Sequence, residues 1–194
     1  MQRVVLASGS PRRKQLLEWA EVPFEVMVAN TDESYPANIT AIQDIPVYIA
    51  RNKAAAVQHK VKDRNIIAAD TIVVLHNEVI GKPIDREHAI EILQRLSGQN
   101  HLVITGVVIK SGEKEIAFAD ITEVSFHELT TEQITFYVDK YKPYDKAGAY
   151  AIQEWIGVVG IKSINGDFYN VMGLPVSRVV QALNDLHHVS SDSF

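Results

Sequence analysis

A run of almost wholly apolar residues, NIIAADTIVVLH at 65–76, constrains the fold of this chain more than any other feature. Such a run is typical of a strand that is buried on both faces in the centre of a sheet. Segments with helical spacing occupy 10–20, 45–60 and 85–96, while 101–110 and 115–126 have the pattern of a strand hairpin. Because some strands alternate with helices and others pair as a hairpin, we predict an α/β fold with a mixed sheet.

Length, charge and cysteine content restrict the class of protein. The 194 residues suffice for one packed domain and show no internal repeat, so we predict a single domain over 1–188 and a frayed tail over 189–194. A net charge of −5 disfavours non-specific binding to nucleic acid. The sequence has no run of about 18 apolar residues, so it predicts no membrane-spanning helix, and no secretory signal is visible. The lack of cysteine excludes disulfides and thiolate chemistry and fits a reducing compartment.

The segment ASGSPRR at 7–13 joins a short apolar strand to a helix. Ser10 is a good N-cap and Pro11 a good first helical residue. Arg12 and Arg13 then fall in the first turn, where the helix dipole disfavours cations. A strand–turn–helix junction exposes backbone N–H groups that bind anions, so a bound phosphate would account for both arginines. The alternative is that the two arginines are only solvated.

A carboxylate, Asp70, interrupts the apolar run IIAADTIVV. A buried carboxylate costs several kcal/mol unless it is paired, bound to metal or at an exposed strand end. An acid in this setting can be a metal ligand or a general base. The alternative is that the strand ends here and Asp70 and Thr71 form a polar turn.

Other charged residues give weaker signals when each is taken alone. Lys82 lies in the rigid loop segment Gly-Lys-Pro, and Lys53 stands among alanines. Asp32 and Glu33 lie in an acidic loop and could hold a hard divalent cation, although a solvated loop is an equally simple account. Taken together, these cations and acids would suit a triphosphate with its metal.

Several familiar catalytic and binding motifs are missing from the sequence. It contains neither a P-loop nor the Gly-x-Gly-x-x-Gly motif of dinucleotide-binding folds. The seven histidines form no metal-binding set, and no Gly-x-Ser-x-Gly nucleophile elbow is present. The candidate residues therefore favour hydrolysis of a phosphate ester or anhydride without a covalent nucleophile.

Four separated blocks of the chain resemble the Maf family of nucleoside triphosphate pyrophosphatases. They are ASGSPRRKQLLEWAEVPFEV, AADTIVVLHNEVIGKP, AIEILQRLSGQNHLVITGV and DKAGAYAIQEWIGVVGIKSINGDFYNVMGLPVSRV. The match is collinear from about Val4 to Leu183, and the last block is most similar to the branch that acts on dTTP and UTP. Glu21 departs from the family, which often has glycine there, but this position affects a turn and not a site residue.

The resemblance implies a long, bent mixed sheet with helices, in two lobes around a cleft, as in the inosine triphosphatase superfamily. It implies cleavage between the α- and β-phosphates, giving a nucleoside monophosphate and pyrophosphate. A divalent metal such as Mg²⁺, Mn²⁺ or Co²⁺ would be required. The resemblance further implies a cytoplasmic homodimer, with proposed roles in removing modified pyrimidine nucleotides and in septum formation.

The resemblance also assigns roles to individual residues. Asp70 matches the general base, and Glu33 an acidic residue linked to catalysis and, with Asp70, to the metal. The residues that match phosphate-contacting positions are Ser8, Arg13, Lys53 and Lys82, and those that match base-selecting positions are Arg12, Thr71 and Gln153. The amide of Gln153 offers a donor and an acceptor, which suits a pyrimidine edge, although a plain polar residue at a strand end would look the same.

Three other functions remain open at the level of sequence. The first is the branch of the same family that acts on 7-methyl-GTP. The second is a non-catalytic nucleotide-binding regulator of cell division. The third and least supported is a sugar-phosphate or nucleotidyl transferase, which would need an acceptor substrate. In each of the enzymatic cases the partner is a small nucleotide and not a nucleic acid or a membrane.

Overall fold

The protein is described here by a computed structural model that covers residues 3–61 and 64–191, with side chains up to residue 186. Within these residues one mixed sheet contains seven strands. They are β1 (Val4–Leu6), β2 (Phe24–Val26), β3 (Ile66–Leu75), β4 (Glu78–Ile80), β5 (Asn100–Ser111), β6 (Lys114–Phe126) and β7 (Ile161–Asn165). The strand order is β2-β1-β3-β5-β6-β7, with β4 paired to β3. The predicted α/β class with a mixed sheet is confirmed.

Helices precede or follow most strands in the described part of the chain. They are α1 (Pro11–Trp19), α2 (Asp44–Gln58), α3 (Arg86–Leu96), α4 (Thr131–Tyr141), α5 (Trp155–Gly160), α6 (Phe168–Met172) and α7 (Val176–Ser191), with a 3₁₀ turn at Ala147–Ala149. None of the described helices is both long and apolar enough to cross a membrane.

The chain divides into two compact units. The first unit comprises Met1–Asp70, Thr105–Asp120 and Gly173–Phe194, and the second comprises Thr71–Ile104 and Ile121–Met172.

In the first unit, β1 lies parallel to both β2 and β3, with Val5 opposite Ile66. Its core packs small residues of α2 against these strands, including Ala50 and Ala54. The fit of α2 against β5 requires a glycine, because a Cβ at Gly106 would lie 2.2 Å from the backbone nitrogen of Val47. This close approach fixes the helix that carries Lys53 against the sheet.

In the second unit, capping residues set the starts of α3 and α4. Asp85 accepts a hydrogen bond from the His88 N–H at 2.8 Å. Thr130 and Gln133 form a reciprocal capping box at the start of α4. The two helices pack against each other. Aspartate and threonine are residue types that favour the N-cap position, which accounts for both helix starts.

Two segments differ from the sequence-based predictions. The sequence predicts short strands and turns over 157–171, but this stretch includes the end of α5, β7 and α6. The apolar, β-branched residues of α5 favour a strand locally, yet the carbonyl of Glu154 closes a helical turn with the N–H groups of Gly157 and Val158. Strand β4 was not predicted; it pairs with β3 through a tight turn at His76 and Asn77, both with positive φ.

The frayed tail over 189–194 stays a prediction. The backbone of α7 continues as a helix to Ser191. The remaining residues of that tail, 192–194, lie outside the described residues.

Candidate active site

The start of α1 has the local geometry that the sequence predicts. Ser10 is the N-cap, with φ −60° and ψ 120°, and Pro11 is the first helical residue. The Ser10 side chain makes no capping hydrogen bond; instead, its backbone N–H donates to the hydroxyl of Ser8 at 3.3 Å. Arg12 and Arg13 therefore lie in the first helical turn, as expected.

The guanidinium of Arg13 is buried, with 7% of the residue exposed. Its Nε donates to the carbonyl of Gly173 at 2.8 Å, and Nη1 donates to the Ser8 hydroxyl at 3.0 Å. Burial lowers the pKa of Arg13, while the charge of Asp70 opposes this shift. An arginine keeps its charge even so, and a buried positive charge therefore lies within the electrostatic influence of Asp70. The alternative that Arg13 is only solvated is excluded.

Asp70 occupies the middle of β3 and not the end of a strand. The alternative of a polar turn at Asp70 and Thr71 is thus wrong. The carboxylate is accommodated because Lys53 on α2 donates to its Oδ1 at 2.7 Å. The side chains of Asp70 and Lys53 are 13% and 15% exposed. This ion pair offsets part of the cost of burying the two charges, and removal of either partner would leave the other charge unpaired.

Lys53 also contacts a second carboxylate. Its Nζ donates to Oε1 of Glu33 at 2.8 Å, and the Glu33 side chain is 48% exposed. One ammonium group therefore bridges two acids, one half-buried in the sheet and one open to solvent. We call Ser8, Arg13, Glu33, Lys53 and Asp70 the charge cluster.

The neighbouring acid, Asp32, has a different role. Its carboxylate accepts hydrogen bonds from the N–H and the hydroxyl of Ser34 at 2.8 and 2.6 Å. These bonds lower the pKa of Asp32. Of the two loop acids that the sequence suggests for a cation, Asp32 stabilises a local turn, whereas Glu33 joins Lys53.

The donor set of the charge cluster limits how a metal could bind. In the described parts of the chain, no group of three or more His, Cys, Asp or Glu side chains could hold a metal ion. Mg²⁺, however, is commonly held by one or two carboxylates together with water and substrate phosphates. Glu33 and Asp70, linked by a shared ammonium group, fit that kind of site.

Of the other candidate residues, Arg12 lies on α1 in the first unit and three belong to the second unit. Thr71 follows Asp70 on β3, Lys82 is exposed in the loop after β4, and Gln153 is exposed just before α5. The carbonyl of Gly81, next to Lys82, accepts a hydrogen bond from the Gly148 N–H at 3.2 Å.

In the first unit the structure thus brings Ser8 into contact with Arg13, and Lys53 into contact with Glu33 and Asp70. The charges of Asp70 and Glu33 act on Arg13, which joins the two groups electrostatically.

Sequence analysis missed some contacts of these residues. The carbonyl of Gly173 holds Arg13 across 160 positions of sequence. The hydroxyl of Tyr137, on α4, makes hydrogen bonds with Ala151 and Glu154, which flank Gln153. Neither partner belongs to a local motif, so no signal in the sequence points to it.

A family model described as Maf-like protein matches residues 3–186, and the chain belongs to this family. A protein of Cytophaga hutchinsonii called dTTP/UTP pyrophosphatase is 52% identical over 94% of this chain and 84% of its own length. Proteins with the same description from Parabacteroides distasonis and Bacillus cereus are 50% and 46% identical over 93% and 94% of this chain. The alignments cover 94% and 95% of those two relatives.

One solved structure also aligns with this chain. It is described as a nucleoside-triphosphatase, or dITP/XTP pyrophosphatase, from Mycobacterium abscessus. The sequence identity is 14% and the TM-score 0.38, with 66% of this chain and 76% of that chain covered. At this level the likeness carries no argument about fold or function.

Proposed function

We propose that this protein is a nucleoside triphosphate pyrophosphatase that hydrolyses dTTP and UTP to the monophosphate and pyrophosphate. Relatives with that description are 46–52% identical over more than nine-tenths of this chain. The observation that carries the proposal is the Lys53 bridge between Asp70 and Glu33, beside the buried Arg13. Anhydride hydrolysis needs this combination of a base, a cation and metal-binding oxygens.

In the proposed reaction, Asp70 is the general base. A water molecule attacks the α-phosphorus and passes its proton to the Asp70 carboxylate as the new P–O bond forms. The bond between the α-phosphorus and the oxygen that bridges to the β-phosphate then breaks, and pyrophosphate leaves with the electron pair. Lys53 binds Oδ1 of Asp70 and so holds the carboxylate in place, which leaves Oδ2 to accept the proton.

Arg13 and Ser8 stabilise negative charge on the phosphates in this proposal. A guanidinium that is already fixed by Gly173 and Ser8 needs little rearrangement to meet an anion. Family resemblance adds Lys82 as a phosphate-contacting residue. It also adds Arg12, Thr71 and Gln153 as the residues that select the base.

A divalent cation completes the proposal. Glu33 and Asp70 would hold it, with phosphate oxygens and water as its other ligands. When bound, such a cation polarises a phosphoryl oxygen as a Lewis acid. Mg²⁺, Mn²⁺ and Co²⁺ are the candidates. A cytoplasmic location and a homodimeric state are likewise proposed from the family resemblance.

Pyrophosphate release across a nucleotide panel tests the proposed function. The purified chain should release pyrophosphate from dTTP and UTP with Mg²⁺, Mn²⁺ or Co²⁺, and should lose activity in EDTA. Release from 7-methyl-GTP alone would indicate the other branch of the family. Binding of dTTP without release under any metal would indicate a regulator, and turnover that needs a second acceptor would indicate a transferase.

A further inference from the structure

The segment that carries Gln153 is held at several points while Gln153 itself is exposed. Ala151 and Ile152 are buried, and α5 starts two residues after Gln153. The N–H of Glu154 donates to the carbonyl of Ala151 at 3.1 Å, which closes a turn around Gln153. We call Ala151–Glu154 the Gln153 turn.

A hydroxyl from another helix contacts both ends of the Gln153 turn. Tyr137 on α4 is fully buried. Its hydroxyl accepts a hydrogen bond from the Ala151 N–H at 3.2 Å and donates one to Oε2 of Glu154. A hydroxyl has one proton to donate and lone pairs to accept, so this single group satisfies one group on each side of Gln153.

A buried cation fixes the other side of Glu154. Nζ of Lys146 lies 3.7 Å from Oε1 of Glu154 and 2.8 Å from Oδ1 of Asp145. The Lys146 side chain is buried, so this contact limits the movement of the Glu154 carboxylate. The same carboxylate accepts the hydrogen bond of the Tyr137 hydroxyl.

Close packing restricts the same turn from below. A Cβ at Gly157 would lie 1.8 Å from the carbonyl oxygen of Ile152, so the backbone of the turn touches α5 with no room for a side chain. The Gln153 turn therefore cannot move closer to α5, and the hydroxyl of Tyr137 on α4 holds its two ends.

The chemistry of the glutamine amide makes this position important. The amide can present its donor and its acceptor in either order, so it could match the edge of thymine or, after a flip, the edge of cytosine. The flip is a rotation about the last side-chain bond, whereas the position of the Gln153 backbone sets the distance and direction from which the amide reaches the base. A hydrogen bond to one base edge needs that position to be fixed.

We propose that Tyr137 is a positioning residue for base selection, which acts by holding the Gln153 turn through its hydroxyl. The inference rests on the proposed function, in which Gln153 contacts the base of a pyrimidine triphosphate. Lys146 supports it by holding the Glu154 carboxylate.

The test compares kcat/KM for dTTP with kcat/KM for dCTP in a set of variants. Tyr137→Phe removes the hydroxyl and keeps the ring, and Glu154→Ala removes its acceptor near the surface. Each should lower the dTTP/dCTP ratio by about tenfold, mainly through KM for dTTP, as should Gln153→Ala. Tyr137→Phe in the Gln153→Ala background should change the ratio no further, because both act on one contact.

A matched control separates positioning from a general structural effect. The ring of Tyr141 stacks on Tyr137 with centroids 5.0 Å apart, and Tyr141→Phe should leave the ratio unchanged.

If Gln153→Ala lowers the ratio but Tyr137→Phe and Glu154→Ala only reduce kcat equally for both nucleotides, the inference is wrong and the proposed function stands. If Gln153→Ala leaves the ratio unchanged, base selection by Gln153 is wrong and the inference fails with it. Pyrophosphate release from dTTP by the unmodified protein tests the reaction separately.

Discussion

The charge cluster of the first unit and the Gln153 turn of the second unit are built from different interactions. In the charge cluster, one ammonium group bridges two carboxylates and a buried guanidinium binds a carbonyl and a hydroxyl. Near the Gln153 turn, the main anchors are neutral tyrosine hydroxyls in aromatic surroundings, and Lys146 is paired with acids.

This difference matches a difference in task under the proposed function. The phosphates are common to every nucleoside triphosphate, and charge attraction suits them because it needs little direction. The base distinguishes one nucleotide from another, and hydrogen bonds suit it because they require a particular geometry. The comparison teaches that turnover should depend on the first region and selectivity on the second, and the predictions below test this from the largest expected effect to the smallest.

Replacement of the proposed base should have the largest effect. Asp70→Asn keeps the shape of the side chain but cannot accept the proton of water, so kcat should fall by about 10²-fold or more. The dTTP/dCTP ratio should change little. Pyrophosphate release under saturating dTTP measures the effect. Asp120→Asn is a matched control in the same unit, since Asp120 pairs with Arg178 outside the charge cluster; equal activity of the two variants would contradict the assignment.

Acidification should destabilise the second unit through a buried histidine. His101 is buried beside Tyr150 and Phe126, with 2.7 Å between its Nε2 and the Tyr150 hydroxyl. Burial lowers the pKa of His101 to about 4. Because the unfolded chain binds this proton with a pKa near 6.5, stability is complete above that pH and decreases as the pH falls toward 4.

The size of this pH effect can be measured by denaturant unfolding. His101 should account for a loss of about 2 kcal/mol between pH 7 and pH 5. His101→Gln should be less stable at pH 7 but should lose that part of the pH dependence. An identical slope in the variant and the unmodified chain would show that His101 has the same pKa in the folded and the unfolded chain, which would contradict this prediction.

A conservative change at Arg13 should reduce catalytic efficiency by a moderate amount. Lysine keeps the charge but cannot bind the Gly173 carbonyl and the Ser8 hydroxyl with a planar fork. Arg13→Lys should lower kcat/KM for dTTP and dCTP alike by about tenfold, the scale of one hydrogen bond to a charged group. Steady-state kinetics with both nucleotides measure this effect. A change in kcat/KM for only one nucleotide would contradict the proposal that the charge cluster affects turnover and not selectivity. Arg178→Lys, at an exposed arginine that binds the Ala119 carbonyl, is the control.

An exposed ion pair should have the smallest effect. Arg86 binds both carboxylate oxygens of Asp139 in the second unit, with distances of 2.5 and 3.0 Å. Both side chains are largely solvated, so the pair gains little over its separate hydrated charges. Arg86→Ala should leave the denaturant midpoint and the activity unchanged within error. A clear decrease in the denaturant midpoint or in the activity would mean that even an exposed ion pair contributes strongly in this protein.

Much of the fold could be predicted from residues that are close in sequence. Alternating apolar patterns predict the mixed α/β class, and Asp85 and Thr130 mark two helix starts that the structure confirms. The position of Asp70 within an apolar strand could also be predicted, because a single acid among apolar residues is easily recognised. The helix at Trp155–Gly160 could not be predicted from sequence. Its β-branched residues favour a strand, and contacts outside the segment stabilise the helix instead.

The sequence by itself determined where a carboxylate would interrupt a buried strand and where two arginines would begin a helix. Both follow from interactions within a few residues, such as strand alternation and capping. Only the tertiary structure decided that Gly173 holds Arg13, that Lys53 joins Asp70 to Glu33, and that Tyr137 holds the Gln153 turn. These contacts join segments that are far apart in the chain, and packing brings them together only once the whole sheet and its helices have formed.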